Sequence, residues 1–395
     1  MKKPGKQSPT IDTGAWEVTF VRGPTLTVKN NTRKLTVEFI DLDTGITVYQ
    51  ATMDENQTWA SCYIAYFVNW KIVARTLAGE VVFQHSYDCR DKRVFFGFGS
   101  KCLGDTLAWL PQVEAFRRKH KCTAICSTYW NHLFRDSYPQ IEFLDVGVQA
   151  MDLYASYRLH WHYDDNGQVN YLMHREDFKS LPLAASAASI LGLEYRELRP
   201  EIRIPDRPRR YSRPYVCFSP HASLSAKYWH HPHGWQTVID YLTQQLGYDV
   251  VMISRESLSS KTQLSKLPGG RTLKGVIDAT GDHPLEERIV DLHYADFYMG
   301  VSSGLSWLTW AIDKPAVTIS GSSAEWNEFR RKNLRVINKD VCNSCFNNFR
   351  QDPKDWNWCA AHQNTPRQFE CTRNISPEMV IEAIETLRKR YLAAQ

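Results

Sequence analysis

Short stretches in which apolar and polar residues alternate occupy the first quarter of the chain. These stretches cover residues 16–21, 26–28, 35–40, 46–49, 70–73 and 81–83. They are rich in β-branched and aromatic side chains, which together with a period of two are typical of strands with one buried face. Asn, Asp, Gly and Pro residues, which favour turns, separate the first four stretches. The pattern predicts an all-β domain over residues 1–90, folded as a small barrel or sandwich.

Apolar runs alternate with helical periodicity from residue 91 onward. The apolar run at 94–96 is followed by Leu107, Leu110, Val113 and Phe116, which are spaced as on one face of a helix. After residue 211 the alternation repeats, with strands predicted at 215–220, 249–254, 297–301 and 316–320 and helices at 235–246 and 286–294. This order is typical of α/β folds. We predict two Rossmann-like domains, residues 91–205 and 206–335, which face a cleft and are joined by a proline- and arginine-rich linker.

Composition and charge exclude several classes of protein. The 395 residues suit two or three domains, and the net charge of +5 suits a phosphate-bearing ligand without indicating a nucleic-acid partner. No stretch reaches the roughly 18 apolar residues of a membrane helix, so we expect no membrane insertion. The basic residues at the start precede no apolar segment of the kind found in signal peptides. We therefore expect a cytoplasmic protein whose 10 cysteines form no disulfide framework.

A glycine-rich turn joins the apolar run at 94–96 to the following helix. Gly97, Gly99 and Gly104 allow tight bending and a close approach of the backbone to a ligand. Asp105 then falls in the first helical turn, at the carboxyl end of the strand, where open α/β sheets bind ligands. A carboxylate at this position can cap the helix or act as a general base, and the turn alone does not decide between these roles.

A second strand-to-helix turn has the features of an anion site. It consists of Ser302, Ser303, Gly304, Leu305 and Ser306. Small residues at a helix start leave backbone N–H groups accessible, and the helix dipole adds positive charge, although an ordinary N-cap has the same composition.

Residues after the first two strands of the second half are further candidates for binding the same ligand. Lys227 is either a solvated surface residue or a second anion contact. Ser219, at the end of the first strand, and Trp229, near Lys227, are additional candidates. Glu256 follows the second strand and is either an exposed loop carboxylate or an acceptor for ribose hydroxyls, as in dinucleotide-binding folds.

Four cysteines near the carboxyl end have the spacing of a metal site. Cys342, Cys345, Cys359 and Cys371 form a Cys-x2-Cys-x13-Cys-x11-Cys pattern. Four thiolates complete a tetrahedron with no open position, which indicates a structural site that suits zinc and iron equally. We predict a metal finger over residues 336–375, followed by a helix over 376–395 capped by Ser376.

Two of these motifs together resemble a known enzyme family. Leu-Gly-Asp-Thr-Leu-Ala at 103–108 and Gly-Val-Ser-Ser-Gly-Leu-Ser at 300–306 are similar to motifs of the ADP-heptose glycosyltransferases, which have the GT-B fold. That family commonly has Asp-Thr-Gly where this chain has Ser302, Ser303 and Gly304, and a His at the position of Ser306. With the β domain and the cysteine finger, nearly the whole chain resembles the bacterial autotransporter heptosyltransferases.

This resemblance implies an activity and a set of partners. Asp105 would be the catalytic base of an inverting transfer, while Lys227 and residues 302–306 would hold the diphosphate without a divalent metal. The domain over 91–205 would then lie on the acceptor side and that over 206–335 would bind the nucleotide sugar. The donor would be ADP-glycero-manno-heptose, and the acceptor would be serines of an autotransporter adhesin. The family also implies one iron per chain in the finger and a dodecameric homo-oligomer.

Two other functions fit parts of the sequence. A lipopolysaccharide-type heptosyltransferase would act on a lipid-linked sugar, but the β domain, the finger and the lack of a basic amphipathic membrane helix argue against it. A non-catalytic adaptor would bind a nucleotide sugar or assemble partners through the β domain and the finger.

Overall fold

The computed structural model describes residues 15–255, 273–348 and 359–392, and these form two compact units. The first unit contains the described residues up to 101 together with 109–178 and 183–198. The second contains 102–108, 179–182 and the described residues from 199 onward. The division at 198–199 coincides with the beginning of the proline- and arginine-rich linker, which the sequence predicts over residues 199–210. That the two Rossmann-like domains face each other across a cleft stays a prediction.

The first unit is built on two sheets. Its strands are Trp16–Val21 (β1), Thr25–Val28 (β2), Leu35–Asp41 (β3), Thr47–Met53 (β4), Trp59–Ser61 (β5), Trp70–Thr76 (β6), Val81–Ser86 (β7), Arg93–Phe98 (β8), Thr123–Ser127 (β9), Glu142–Phe143 (β10) and Ala155–Leu159 (β11). One sheet has the order β10-β9-β8-β11-β1-β2-β5, and the other has the order β4-β3-β6-β7. Strands β8 to β11 are parallel, as expected for an α/β domain, and the second sheet is antiparallel.

The predicted strands of the first 90 residues are confirmed, but they do not form a separate unit. Strand β1 pairs in parallel with β11 and antiparallel with β2, so the N-terminal strands extend the α/β sheet. Trp16 of β1 stacks on Phe83 of β7, with ring centroids 5.2 Å apart, and this contact packs the antiparallel sheet onto the mixed one. A domain boundary at residue 90 therefore does not correspond to a boundary between compact units, because strand pairing crosses it.

Helices follow several of these strands. They are Leu103–His120 (α1), which begins in the second unit and continues in the first, and Leu183–Ile190 (α2). Short 3₁₀ turns lie at Asn131–Leu133 and Phe178–Ser180. The segment that begins with the 3₁₀ turn at Phe178 therefore becomes α-helical only from Leu183.

The second unit has a parallel six-stranded sheet with the order β14-β13-β12-β15-β16-β17. Its strands are Tyr215–Ser219 (β12), Asp249–Met252 (β13), Val276–Asp278 (β14), Tyr298–Val301 (β15), Ala316–Ile319 (β16) and Asn333–Val336 (β17). The central strands are buried along their whole length, which explains their continuous apolar sequence. Sequence patterns missed β14 and β17, because these short edge strands contain polar residues and lack a continuous apolar run.

Helices cover this second sheet. They are Gly234–Asp240 (α3), Leu285–Tyr294 (α4), Gly304–Ala311 (α5), Glu370–Arg373 (α6) and Pro377–Tyr391 (α7). Helix α3 continues as a π-helical turn over Tyr241–Gln245. Ser376 caps α7 by accepting a hydrogen bond from the Met379 N–H, as predicted, and Val380, Ile384 and Leu387 join the core. No helix in the described part of the chain has both the length and the hydrophobicity needed to cross a membrane.

Two histidines of the first unit, one buried and one half-buried, make its stability depend on pH. His174 is almost fully buried, and its Nε2 accepts a hydrogen bond from the backbone N–H of His162 at 3.1 Å. Burial lowers the pKa of His174 to about 3 and that of His162 to about 4. In the unfolded chain both imidazoles have a pKa near 6.5. Folding therefore favours the neutral rings, and this contribution to stability is lost as the pH falls from about 6.5 toward 4 for His162 and toward 3 for His174.

We predict that His174→Gln reduces the loss of unfolding free energy between pH 7.5 and pH 5. The difference from the unmodified protein should be about 2 kcal/mol. Each pH unit below 6.5 lowers the unfolding free energy by about 1.4 kcal/mol per buried neutral histidine, and the variant lacks one such group. Urea denaturation at several pH values measures it. His132→Gln, at an exposed position, serves as the control and should follow the unmodified protein. Equal acid sensitivity of His174→Gln and the control would contradict the assignment.

Candidate active site

Asp105 lies in the first turn of α1 and is half-buried. The turn before it depends on glycine, because a Cβ atom on Gly99 would lie 2.7 Å from the His160 ring. The Gly99 N–H also donates a hydrogen bond to the carbonyl of Leu159 at 2.9 Å. Gly99 therefore allows a close approach to the chain that leaves β11, whereas the predicted approach of this turn to a ligand stays a prediction.

Two glycines bring the start of α1 into contact with the start of α5. A Cβ atom on Gly104 would lie 2.8 Å from Cδ1 of Trp307, and one on Gly304 would lie 3.1 Å from Cβ of Leu103. Both contacts lie within the second unit, to which residues 102–108 belong. The turn that carries Asp105 and the turn predicted to bind an anion are therefore neighbours, although they lie far apart in the sequence.

The second turn is stabilised by its own serines. Ser303 has extended backbone angles, its N–H donates to Oγ of Ser306 at 3.1 Å, and that hydroxyl donates to the Ser303 carbonyl at 2.7 Å. Ser302 and Ser306 are buried, whereas Ser303, Gly304 and Leu305 are half-buried. The N–H groups of a first helical turn have no acceptor within the helix, and the dipole is positive there. An anion at this turn would therefore meet backbone N–H groups rather than the buried hydroxyls of Ser302 and Ser306.

The end of β12 approaches this turn. A Cβ atom on Gly300 would lie only 2.4 Å from the carbonyl oxygen of Ser219, so glycine allows β15 and β12 to come together there. Ser219 is buried, and its hydroxyl is hydrogen-bonded to that of Ser254 at 2.9 Å. Its predicted contact with a ligand stays a prediction.

The remaining candidates for ligand binding differ in accessibility. Lys227 ends the 3₁₀ turn Ser225–Lys227 and is half-buried, and no carboxylate in the described ranges pairs with its ammonium group. Trp229 lies in the core, where its indole N–H donates to the carbonyl of Ile375 at 2.9 Å. Its expected contact with a nucleotide stays a prediction that this burial does not favour. Glu256 lies outside the described residues.

The four predicted cysteine ligands are close enough to affect one another. Burial, and then the negative charges of Cys345, Cys359 and Cys342, raises the pKa of the Cys371 thiol to about 12. Mutual repulsion of this kind is relieved when thiolates share a cation, so the residues fit a metal of the type that prefers sulfur.

Two further residues, which sequence reasoning missed, lie beside these cysteines. The ligand atoms of Cys342, His362 and Glu370 lie within 4.8 Å of one another. Glu370 accepts hydrogen bonds from the Cys342 N–H at 3.3 Å and from Arg367 at 2.9 and 2.6 Å. A signal for His362 existed, because it follows Cys359 with ligand-like Cys-x2-His spacing.

Comparison with known proteins identifies the class. Residues 168–351 match the family model of glycosyltransferase family 9 (heptosyltransferase). Over 365 residues the chain is 34% identical to the autotransporter heptosyltransferase Aah of Escherichia coli, with 89% of this chain and 88% of Aah covered. The chain therefore belongs to the autotransporter heptosyltransferases, which are enzymes of glycosyltransferase family 9.

Solved structures agree over almost the whole length. An iron-containing dodecameric glycosyltransferase, TibC from enterotoxigenic E. coli H10407, matches with a TM-score of 0.86 and 30% identity, covering 98% of this chain and 99% of TibC. TibC in complex with ADP-D-β-D-heptose matches with a TM-score of 0.85 and 29% identity over the same shares. The inactive autotransporter heptosyltransferase BimC of Burkholderia thailandensis is 34% identical over 317 residues, 78% of this chain and 72% of BimC. The predicted family resemblance is confirmed.

We predict that Gly104→Ala weakens ADP binding and slows sugar transfer, each roughly tenfold or more, because overpacking costs about 1–3 kcal/mol. The added methyl group would displace Trp307 and separate the two helix starts. Calorimetry with ADP and a transfer assay measure the two effects. Gly45→Ala is the control, since its positive φ of 72° strains a hairpin turn but its Cβ meets no atom within 4 Å. If both variants bind ADP as tightly as the unmodified protein, the contact between the helix starts has no part in the site.

Proposed function

We propose that this protein transfers heptose from ADP-glycero-manno-heptose to serine hydroxyls of an autotransporter adhesin, with inversion and in the cytoplasm. The observation that carries the proposal is the direct packing of the α1 start on the α5 start through Gly104 and Gly304. This contact joins the helix start that carries Asp105, the proposed base, to the helix start whose N–H groups would receive the diphosphate. An inverting transfer needs these two functions close to one sugar ring.

The donor side relies on fixed dipoles and one cation. As the glycosidic bond breaks, negative charge grows on the departing ADP. The N–H groups of Gly304 and Leu305, together with the positive end of the α5 dipole, stabilise this charge without reorganisation. Lys227, which has no carboxylate partner in the described ranges, supplies a full positive charge. This arrangement requires no divalent metal ion in the transfer step.

The acceptor side relies on Asp105. A serine hydroxyl is a weak nucleophile, and a carboxylate within hydrogen-bond reach accelerates its attack. Asp105 accepts the hydroxyl proton while the serine oxygen bonds to the anomeric carbon and ADP leaves from the opposite face. One displacement inverts the configuration at that carbon. The general base can also be oriented by the backbone at the helix start, so capping and catalysis are compatible roles for Asp105.

The metal finger and the assembly are inferred from chemistry and from similarity. Cys342, Cys345, Cys359 and Cys371 would hold one iron in a closed tetrahedral site, with zinc as the alternative. A metal held there would cross-link the finger, because it would join Cys342 to Cys371 at the start of α6. TibC is iron-containing and dodecameric and matches nearly the whole chain, which supports iron and a dodecameric homo-oligomer here.

We predict that Asp105→Asn lowers the transfer rate by about 10²–10⁴-fold while ADP affinity changes little, because the amide cannot accept the proton but keeps the shape. The intact mass of a co-expressed adhesin fragment, followed by rates with purified protein, measures the effect. Asp145→Asn, at an exposed loop position, should transfer at the normal rate.

Other outcomes of this experiment separate the functions. Transfer by Asp105→Asn at the normal rate would show that another group is the base. If the unmodified protein binds ADP but modifies no protein, the adaptor function gains support. The relative BimC is an example of an inactive autotransporter heptosyltransferase. Modification of a lipid-linked sugar instead of the adhesin would support the lipopolysaccharide-type activity.

We predict that elemental analysis finds about one iron per chain, and that Cys345→Ser loses most of it and melts at a lower temperature. Cys62→Ser is the control, since this buried cysteine lies in the first unit and outside the cluster. It should lose stability without losing iron. Zinc in the unmodified protein would contradict iron, and full metal content in Cys345→Ser would contradict the four-cysteine ligand set.

A further inference from the structure

We propose that Glu328 is a positioning residue for the donor-binding turn. Its buried carboxylate fixes Ser302, the residue immediately before the N-cap of α5, and thereby aligns the backbone N–H groups that receive the diphosphate. This inference rests on the proposed function, since it assigns a role within the same site.

The central contact joins two buried groups. The Ser302 hydroxyl donates a hydrogen bond to Oε1 of Glu328. The Ser302 residue is 3% exposed and the Glu328 side chain is 5% exposed, so water does not compete for either group. Hydrogen bonds to a charged acceptor are stronger than those between neutral groups. Ser302 is therefore held at its side chain, while its backbone leads directly into Ser303.

Arg335 holds Glu328 from the opposite side. Its Nη1 lies 3.3 Å from Oε2 of Glu328, and both side chains are buried. Its Nη2 donates hydrogen bonds to the hydroxyls of Ser320 and Ser323, each at 2.7 Å. A buried ion pair contributes little net stability compared with well-packed apolar side chains. A role in fixing geometry therefore explains its presence here better than a role in stability alone.

The loop that carries Glu328 is itself fixed by the finger. The Ala324 N–H donates to Oδ1 of Asn347 at 2.8 Å, and Nδ2 of Asn347 donates to Oδ1 of Asn327 at 3.1 Å. The Phe346 N–H donates to the carbonyl of Ser322 at 2.8 Å. Residues that follow Cys345 thus clamp the loop on both sides of Ala324. Glu328 has a rigid support and can transmit this rigidity to Ser302.

The hydrogen bond between Ser302 and Glu328 has a consequence for donor binding. Without an acceptor for Ser302, the turn loses its anchor and its N–H groups no longer point in one fixed direction. Donor binding then weakens, because the ligand must order the turn as it binds. The proton transfer to Asp105 is not touched directly. Loss of Glu328 should therefore raise KM for the donor more than it lowers kcat.

ADP binding by calorimetry tests the proposal with three variants. Glu328→Ala should raise Kd roughly tenfold, the equivalent of losing one charged hydrogen bond. Glu328→Gln should lie closer to the unmodified protein, because its amide oxygen still accepts from Ser302. Glu114→Ala is the matched control: Glu114 is also a buried glutamate paired with arginines, but it lies on the later part of α1 in the first unit. It should keep Kd within about twofold.

Ser302→Ala makes the test independent of how well Glu328→Ala folds. It removes only the hydrogen-bond donor and leaves the Glu328–Arg335 pair in place, and Kd should rise several-fold. Unchanged ADP affinity in Ser302→Ala overturns the proposal, as does an equal loss of affinity in Glu328→Ala and Glu114→Ala. Both results leave the proposed function intact if the unmodified protein binds ADP. Failure of the unmodified protein to bind ADP would instead refute the proposed function.

Discussion

The close packing of two helix starts is the constraint on which the site depends. Gly104 leaves space for the Trp307 side chain and Gly304 leaves space for the Leu103 side chain, so the first turns of α1 and α5 pack closely on each other. Any side chain larger than hydrogen at Gly104 would move the carboxylate of Asp105 relative to the N–H groups of α5. Both helix dipoles are positive at this end, which favours an anionic ligand beside the contact. Glycine is therefore required here because the two helix starts are so close, and not because the backbone needs a conformation that only glycine adopts.

The polar residues around this contact are used mainly to fix geometry. Ser306 closes the turn at Ser303, and Ser302 is held by Glu328, so the hydroxyls point inward while N–H groups remain for a ligand. Such preorganisation is the property that makes electrostatic stabilisation of a leaving group effective. In the proposed site the diphosphate would contact backbone N–H groups, which explains how serines can stand where the family's motif commonly has Asp, Thr and His.

Sequence patterns predicted the elements and the local chemistry but not the contacts between distant segments. The positions of Asp105 and of the 302–306 turn at strand-to-helix junctions were predictable, because the preceding strands β8 and β15 contain apolar runs. The pairing of β1 with β11 was not, because hydrogen bonding between distant strands leaves no local pattern. Trp229 was a candidate ligand contact because it lies near Lys227 in the sequence, whereas its ring lies in the core. The Glu328–Arg335 pair gave no signal, since a buried ion pair and a solvated one look alike in sequence.

The most direct test of the account is an experimental structure of the protein with ADP-heptose bound. The central claim is that the base and the diphosphate site are adjacent parts of one active site. We expect diphosphate oxygens about 3 Å from the N–H groups of Gly304 and Leu305, and the Asp105 carboxylate facing the anomeric carbon with room for one hydroxyl between them. A diphosphate bound away from the α5 start, or an Asp105 carboxylate turned away from the sugar, would contradict this account.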